Sequence, residues 1–205
     1  MDTRRLEAFS DGVLAVAITL LVFQVELPPL PPGHLAHALF HLWPSYASYV
    51  VSFAIVGIIW VNHHAMFDRV AVVDRTLLFL NLALLMGVAF LPFPTAVLAG
   101  HVHKGGADSH VAAAVYSATM AGIGLTFLLL WRHLAATPGL LVDGFGADQA
   151  RAAFRRTVPG PVIYGASIGL AYLSALACLV LYAGMAVYFI LPGREAREVP
   201  APAAP

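Results

Sequence analysis

The stretch VPGPVIYGASIGLAYLSALACLVLYAGMAVYFIL, from Val158 to Leu191, contains no charged residue. As a single α-helix it would be about 50 Å long, whereas the hydrocarbon core of a bilayer is only about 30 Å thick. We therefore predict two short helices here, over residues 158–173 and 175–191. Each crosses a membrane only where the bilayer thins or where neighbouring helices bury its ends.

The composition of the whole chain places its other apolar stretches in a membrane as well. Residues of the set AVILMFWYC make up 60% of the 205 residues, only 11% are charged, and the mean hydropathy is +0.82. A soluble domain of this length cannot hide so much apolar surface. We expect an all-α integral membrane protein whose single domain, residues 1–193, has six transmembrane helices. The first four of these are predicted at about 5–27, 45–67, 76–99 and 111–131, and a short helix is predicted between the fourth and fifth, from Ala147 to Arg156.

The basic residues predict the orientation of this bundle. Lys104 lies alone on one side, and every arginine falls on the other: Arg4, Arg5, Arg69, Arg75, Arg132, Arg151, Arg155, Arg156, Arg194 and Arg197. Basic loops stay in the cytoplasm, so both termini are expected there, with residues 194–205 as a disordered cytoplasmic tail. The 11 basic and 11 acidic residues give no net charge, which argues against a nucleic-acid partner.

Two polar residues interrupt the first predicted helix. Ser10 and Asp11 precede an apolar run that is too short to cross a bilayer alone, so both belong to the helix near its cytoplasmic boundary. One interpretation is that they cap a helix beginning at Gly12. The other is a polar cluster with the end of the second helix, IIWVNHHAMF, which lies at the same depth and could hydrogen-bond a carboxylate.

Three sequence blocks carry a resemblance to a known family. RLEAFSDGVLAVAITLLV contains an Arg-x-x-x-Phe-Ser-Asp pattern, IIWVNHHAMF ends the second helix, and NLALLMGVAFLPFPTAVL begins at Asn81. In this order they resemble the endolysosomal potassium channel family typified by transmembrane protein 175, in its bacterial single-repeat form. The resemblance implies a homotetramer in the inner (plasma) membrane of a prokaryote, whose subunits surround a pore lined by helix 1. It also implies that this channel conducts potassium ions passively, without a bound cofactor.

The resemblance also assigns roles to residues of the first two helices. The pore and its hydrophobic gate fall on Val16, Thr19, Leu20 and Phe23. A structural polar network that holds helix 1 falls on Arg5, Phe9, Ser10, Asp11, Trp60, Asn62, His63 and His64. The four pore positions have the i, i+3, i+4, i+7 spacing of one helical stripe, a spacing that ordinary helix–helix packing also produces.

The histidines of the outer loops are weak candidates for a metal site. His34, His37 and His41 recur on one face of a predicted short helix, and imidazoles at this spacing can meet zinc or copper. An amphipathic surface helix with incidental histidines is the alternative, because no Cys or well-placed carboxylate completes the site within this segment. We therefore expect no firm metal site.

Two other function classes remain to be compared with a channel. An enzyme is not expected, because the chain has no H-E-x-x-H, G-x-S-x-G or P-loop pattern. A proton-coupled secondary transporter is the main alternative, with Asp11 and His63 or His64 as the intramembrane relay. Transporters usually contain broken helices, and the sequence LPFPT, from Leu91 to Thr95, is the one candidate for such a break.

Overall fold

The computed structural model describes residues 3–27 and 29–190, and within these ranges it is a helical bundle. A 3₁₀ turn, Leu21–Gln24, continues the first helix. The α-helices are α1 (Thr3–Leu20), α2 (Leu35–His41), α3 (Trp43–Phe67), α4 (Arg75–Phe90), α5 (Pro92–His101), α6 (Gly106–Ala136), α7 (Ala147–Thr157), α8 (Pro159–Ala171) and α9 (Ala175–Ile190). The predicted tail, 194–205, and the last residue of the sixth predicted helix lie outside the described residues.

Among residues 3–27 and 29–190, four helical segments are long and apolar enough to cross a membrane. They are Thr3–Gln24, Trp43–Phe67, Arg75–His101 and Gly106–Ala136. The predicted helix over residues 147–156 is confirmed as α7. The helices α8 and α9 are shorter, at 13 and 16 residues.

The first helix ends earlier than expected, at Gln24 rather than at residue 27. Val25 leaves the helical region, with φ −94° and ψ +83°. The sequence runs from there into Pro28 and Pro29, and a proline disfavours the helical conformation of the residue before it.

The third predicted helix, 76–99, is divided into α4 and α5 at Pro92. Because proline has no N–H, Pro92 cannot bond to the carbonyl four residues earlier, which is that of Val88. The N–H of Leu91 donates to this carbonyl instead, at 3.1 Å, and tightens the chain into a turn.

A turn over residues 172–174 separates α8 from α9. The backbone N–H groups of Leu173 and Ser174 both donate to the carbonyl of Leu170, at 2.9 and 3.0 Å. The hydroxyl of Ser174 then accepts from the N–H of Ala177 at 3.1 Å, which caps the first turn of α9. The long uncharged stretch therefore forms two helices.

Helix α6 lies at the centre of the bundle and packs against α4, α5, α7, α8 and α9. Its approach to α8 depends on Gly124, because a Cβ atom at that position would lie 2.9 Å from the Cβ of Pro161. Helix α1 lies at the periphery, against α3 and α4. It buries only a narrow strip, consisting of Leu6, Ser10, Leu14 and Ala17.

The loops at the end of the bundle where α3 ends and α4 begins are tied together. We call this the arginine-rich end, since Arg69 and Arg75 lie there. The N–H groups of Ala71 and Val72 donate to the carbonyl of Leu140, and the N–H of Val142 donates to the carbonyl of Arg69. The loop after α3 is thereby fixed to the loop after α6.

Asp74 joins these two regions through its side chain. Its Oδ1 accepts from the N–H of Leu77 at 2.7 Å and caps α4, while its Oδ2 accepts from Nε2 of His133 on α6 at 2.8 Å. Partial burial opposes ionisation of this carboxyl group. The hydrogen bonds from Leu77 and His133 outweigh that effect and hold the pKa of Asp74 below its usual range.

We expect Asp74→Ala to lower the free energy of unfolding by about 1 kcal/mol, the usual cost of losing a helix cap. Asp143→Ala is the matched control, because Asp143 is exposed in the neighbouring loop. Since the pKa of Asp74 is depressed in the folded state, its contribution is present at neutral pH and is lost as the pH falls through that pKa. The stability advantage of the wild type over Asp74→Asn in thermal unfolding should therefore shrink on acidification. An advantage that is constant with pH would contradict this role.

Candidate functional site: the exposed face of α1 and its anchors

A buried chain of hydrogen bonds fixes α1 to its two neighbours. Nδ2 of Asn81, on α4, donates to Oγ of Ser10 on α1 at 2.9 Å. Oδ1 of the same amide lies 2.8 Å from Nε2 of His63 on α3. All three side chains are at most 1% exposed, so the cluster links three helices without access to solvent.

The proton positions in this cluster follow from the number of donors. The hydroxyl of Ser10 has one proton and donates it to the carbonyl of Leu6 at 2.9 Å. Ser10 must therefore accept from the amide of Asn81, and the Asn81 carbonyl must accept from His63. Nε2 of His63 consequently carries a proton, and its ring also stacks on Phe67 with a centroid separation of 4.4 Å.

A second contact between α1 and α3 lies beside this cluster and is exposed. Nε1 of Trp60 donates to Oδ1 of Asp11 at 2.9 Å. The Trp60 ring stacks on His64, with centroids 6.2 Å apart, and Nε2 of His64 lies 3.8 Å from Oδ2 of Asp68. The carboxylate of Asp11 is thus hydrogen-bonded by an indole.

The eight residues predicted to form one polar network do not form a single network in the structure. Asn62 does not join either contact, because its Nδ2 donates to the carbonyl of Ile58 in its own helix at 3.0 Å. Adjacent residues of a helix point about 100° apart, so when His63 faces the core, Asn62 and His64 cannot. The same geometry turns Phe9 away from the buried side of α1 on which Ser10 lies.

Arg5 and Phe9 instead begin an exposed stripe along α1. Phe9 is 52% exposed, and Val16, two turns further along, is 57% exposed. The stripe continues through Leu20, at 41%, and ends at Phe23, at 69%, in the 3₁₀ turn. The four expected pore positions therefore share one uncovered face with Arg5 and Phe9.

Thr19 is the polar member of this face. Its hydroxyl donates to the carbonyl of Val16 at 2.8 Å, so its proton is directed into the helix backbone. The oxygen keeps its acceptor capacity toward the exposed side. An apolar groove of about 460 Å³ lies beside the stripe, and it includes the open surface over Gly12.

The structure brings two of the three candidate metal-binding histidines together. Nε2 of His37 and Nε2 of His41 are 3.0 Å apart, whereas Nδ1 of His34 lies against the carbonyl of Pro32 at 3.2 Å. Within residues 3–27 and 29–190, no group of three or more His, Cys, Asp or Glu side chains is arranged to hold a metal ion.

Comparison with known proteins identifies the family of this chain. The family model for the endosomal/lysosomal potassium channel TMEM175 matches residues 5–92. A protein of Streptomyces collinus named as a potassium channel is 48% identical over 95% of this chain and 97% of its own. The present chain is a member of the TMEM175 family.

Other TMEM175 relatives agree in sequence and in fold. A potassium channel of Chamaesiphon minutus is 38% identical over 93% of this chain and 94% of its own length. The crystal structure of a lysosomal potassium-selective channel TMEM175 homolog from Chamaesiphon minutus superposes with a TM-score of 0.81, at 36% identity, over 92% of this chain and 96% of that one. The segment matched by the TMEM175 family model includes most of α1 and all of α3 and α4, and so contains every member of the buried cluster.

Sequence reasoning did not assign Asn81 to the site. It lies in the third sequence block, inside an otherwise apolar run, and a buried amide needs partners. This signal was present in the sequence, but nothing there showed that the amide bridges Ser10 and His63. The family resemblance places all three residues in matching blocks without pairing them.

Proposed function

We propose that this chain is a potassium-permeable channel of a prokaryotic inner membrane, in which four copies surround a pore lined by α1. Membership of the TMEM175 family supports ion conduction rather than catalysis. In this arrangement six helices of each copy cross the membrane, with α8 and α9 as the short fifth and sixth spans. The arginine-rich end faces the cytoplasm, as its basic loops favour.

The uncovered stripe on α1 is the observation that carries the proposal. Only 28% of the residues in the apolar window of α1 are buried, against 39% to 44% in the other three long helices. This is the least buried long helix, although two polar contacts hold it firmly against α3 and α4. A helix that is fixed on one side and bare on the other is suited to line a central pore built from several copies.

The residues on this stripe supply both a barrier and a coordinating group. Four Val16 side chains around the axis would form a dry girdle, and apolar constrictions of this kind close by excluding water. Four Thr19 oxygens, one turn further along, would replace part of the hydration shell of a potassium ion. Leu20 and Phe23 would narrow the opposite end of the pore, and Arg5 and Phe9 would lie at its cytoplasmic mouth.

In this proposal the anchors act by position rather than by touching ions. The Ser10–Asn81–His63 cluster and the Asp11–Trp60 pair set the rotation and depth of α1. The rotation of α1 decides which side chains face the axis. The small residues Ala8 and Gly12, which border the groove beside the stripe, allow the α1 helices of neighbouring copies to approach closely.

The arrangement of hydrogen bonds favours a channel over a proton-coupled carrier. Among the described residues Asp11 bonds to Trp60 and His63 bonds to Asn81, so the acid and the imidazole do not hydrogen-bond to each other. The break in the third predicted helix, at Leu91 between α4 and α5, contains neither Asp11 nor His63.

Potassium flux into liposomes that contain the purified chain tests this proposal. A channel carries potassium down its gradient, gives unitary currents in a planar bilayer, and leaves the internal pH unchanged once the membrane potential is clamped. Stoichiometric proton movement without unitary currents would establish the carrier instead. Absence of potassium flux from correctly inserted, tetrameric protein would refute the channel.

The Asp11–Trp60 pair makes a separate prediction about assembly. In a double-mutant cycle, Asp11→Asn and Trp60→Phe should be coupled by about 1 kcal/mol in tetramer stability, the usual value for an accessible hydrogen bond. Trp43→Phe is the matched control, because Trp43 lies at the other end of α3 and is also 47% exposed. It should show no coupling with Asp11→Asn. Coupling of equal size to both tryptophans would show that the effect is not due to the hydrogen bond.

A further inference from the structure

The clearest unassigned chemical group of the chain lies outside the proposed pore, on the short helix α2. His37 and His41 are four residues apart, so they project from the same side of this helix. Both are exposed. Their rings are tilted by 44° with centroids 4.1 Å apart, which brings the two Nε2 atoms to 3.0 Å.

The separation of the two nitrogens can be compared with the spacing that a metal ion requires. With metal–nitrogen bonds of about 2.0 to 2.1 Å, two adjacent imidazole ligands are about 2.9 Å apart at a 90° angle and about 3.4 Å apart at a tetrahedral angle. The observed 3.0 Å corresponds to the 90° arrangement. Square-planar and tetragonal coordination by nitrogen and oxygen is characteristic of Cu²⁺ and Ni²⁺.

From this geometry we propose that His37 and His41 form a two-histidine chelate for a divalent transition-metal ion, with Cu²⁺ and Ni²⁺ preferred over Zn²⁺. The Nε2 atoms occupy adjacent coordination positions, and water fills the others. In the free chain one ring donates its Nε2–H to the Nε2 of the other. When the ion binds, that ring changes to its Nδ1–H tautomer, so both Nε2 lone pairs face the ion and no proton is lost. The site requires no other described residue, and it does not depend on whether the chain conducts potassium.

His34 provides an internal control for this site. It precedes α2 by one residue and is also exposed, but its Nδ1 lies against the carbonyl of Pro32. If any exposed histidine of this segment bound the ion, removing His34 would weaken metal binding. If only the His37–His41 pair binds the ion, removing His34 has no effect. Substituting these three histidines one at a time therefore distinguishes metal binding by the pair from nonspecific metal binding.

The test is calorimetric titration of the purified full chain with Ni²⁺, Cu²⁺ and Zn²⁺ in separate experiments. We expect His37→Ala and His41→Ala each to weaken the tightest Ni²⁺ site at least about tenfold, and His34→Ala to leave it unchanged. The affinities of the wild type should follow the order Cu²⁺, Ni²⁺, Zn²⁺. Equal binding by all four proteins, or equal weakening in His34→Ala, would overturn the proposal.

Electron paramagnetic resonance keeps the test independent of variant folding. At one equivalent of Cu²⁺, the wild type and His34→Ala should give a spectrum with two imidazole nitrogens coupled to the copper. His37→Gln, which keeps a polar side chain at this exposed position, should reduce that number to one. Two coupled nitrogens in His37→Gln would place the copper elsewhere and overturn the proposal, and so would tighter binding of Zn²⁺ than of Ni²⁺.

Discussion

Val16→Ser is expected to raise potassium flux at least about tenfold, which corresponds to removing about 1.4 kcal/mol from a barrier. In the proposed tetramer four Val16 side chains meet near the axis, and an apolar ring of this width excludes water and therefore ions. Serine is smaller than valine and carries a hydroxyl group that hydrogen-bonds water. Both differences keep the constriction wet. The effect is measured as initial potassium flux in liposomes that contain equal amounts of tetramer.

The control for this variant is the same substitution elsewhere on the exposed surface. Val50, on α3, is 60% exposed, close to the 57% of Val16. Val50→Ser should leave the flux unchanged, because this position does not face the proposed pore. An unchanged flux in Val16→Ser would remove Val16 from the gate. An equal rise in both variants would indicate a general leak rather than an opened constriction.

Asn81→Leu is expected to produce the largest loss of stability, about 2 to 3 kcal/mol in the free energy of unfolding. The leucine side chain removes the acceptor of His63 and the donor to Ser10. The Nε2–H of His63 is then buried without a partner, which costs about 1 to 3 kcal/mol. Ser10 still donates to the carbonyl of Leu6, so the main loss is on the α3 side. Thermal unfolding of the detergent-solubilised protein measures it.

Two further variants show whether Asn81→Leu lowers stability because hydrogen bonds are lost or merely because a buried polar group is removed. Ser48 is 1% exposed, and its Oγ has no hydrogen-bond partner among the described residues. Ser48→Ala should therefore be neutral or stabilising. Combining Asn81→Leu with His63→Phe removes both partners of one bond, and this double variant should recover much of the stability. If Asn81→Leu were as harmless as Ser48→Ala, the cluster would not anchor α1.

The fold was predictable where hydrophobic periodicity and helix-breaking residues agree. The turn between α8 and α9 follows from the length of the uncharged stretch, and its position coincides with Ser174, a residue that caps helices. The ends of α6 were not predictable from hydropathy. This helix begins at Gly106 and ends at Ala136, beyond the apolar run on both sides, because a helix continues through polar residues after it leaves the bilayer.

The candidate site was predictable by residue type but not by pairing. An acid in the first predicted helix and an indole at the same depth in the second predicted helix indicated a contact. In the structure these helices are α1 and α3, and Asp11 and Trp60 are in contact. The rotation of each helix could not be read from one sequence. The structure therefore moves Arg5 and Phe9 to the exposed stripe and gives Ser10 a partner, Asn81, to which the sequence had assigned no role.

Access of a thiol reagent to Thr19→Cys tests most directly whether α1 lines the pore. Potassium flux is measured in liposomes before and after treatment with a positively charged methanethiosulfonate. Met86→Cys is the matched control, since Met86 is 71% exposed on α4, and the native Cys178 is fully buried. The proposed arrangement predicts that modification abolishes most of the flux through Thr19→Cys and leaves Met86→Cys and the wild type unaffected. Unchanged flux through Thr19→Cys, with mass spectrometry showing complete modification, would contradict it.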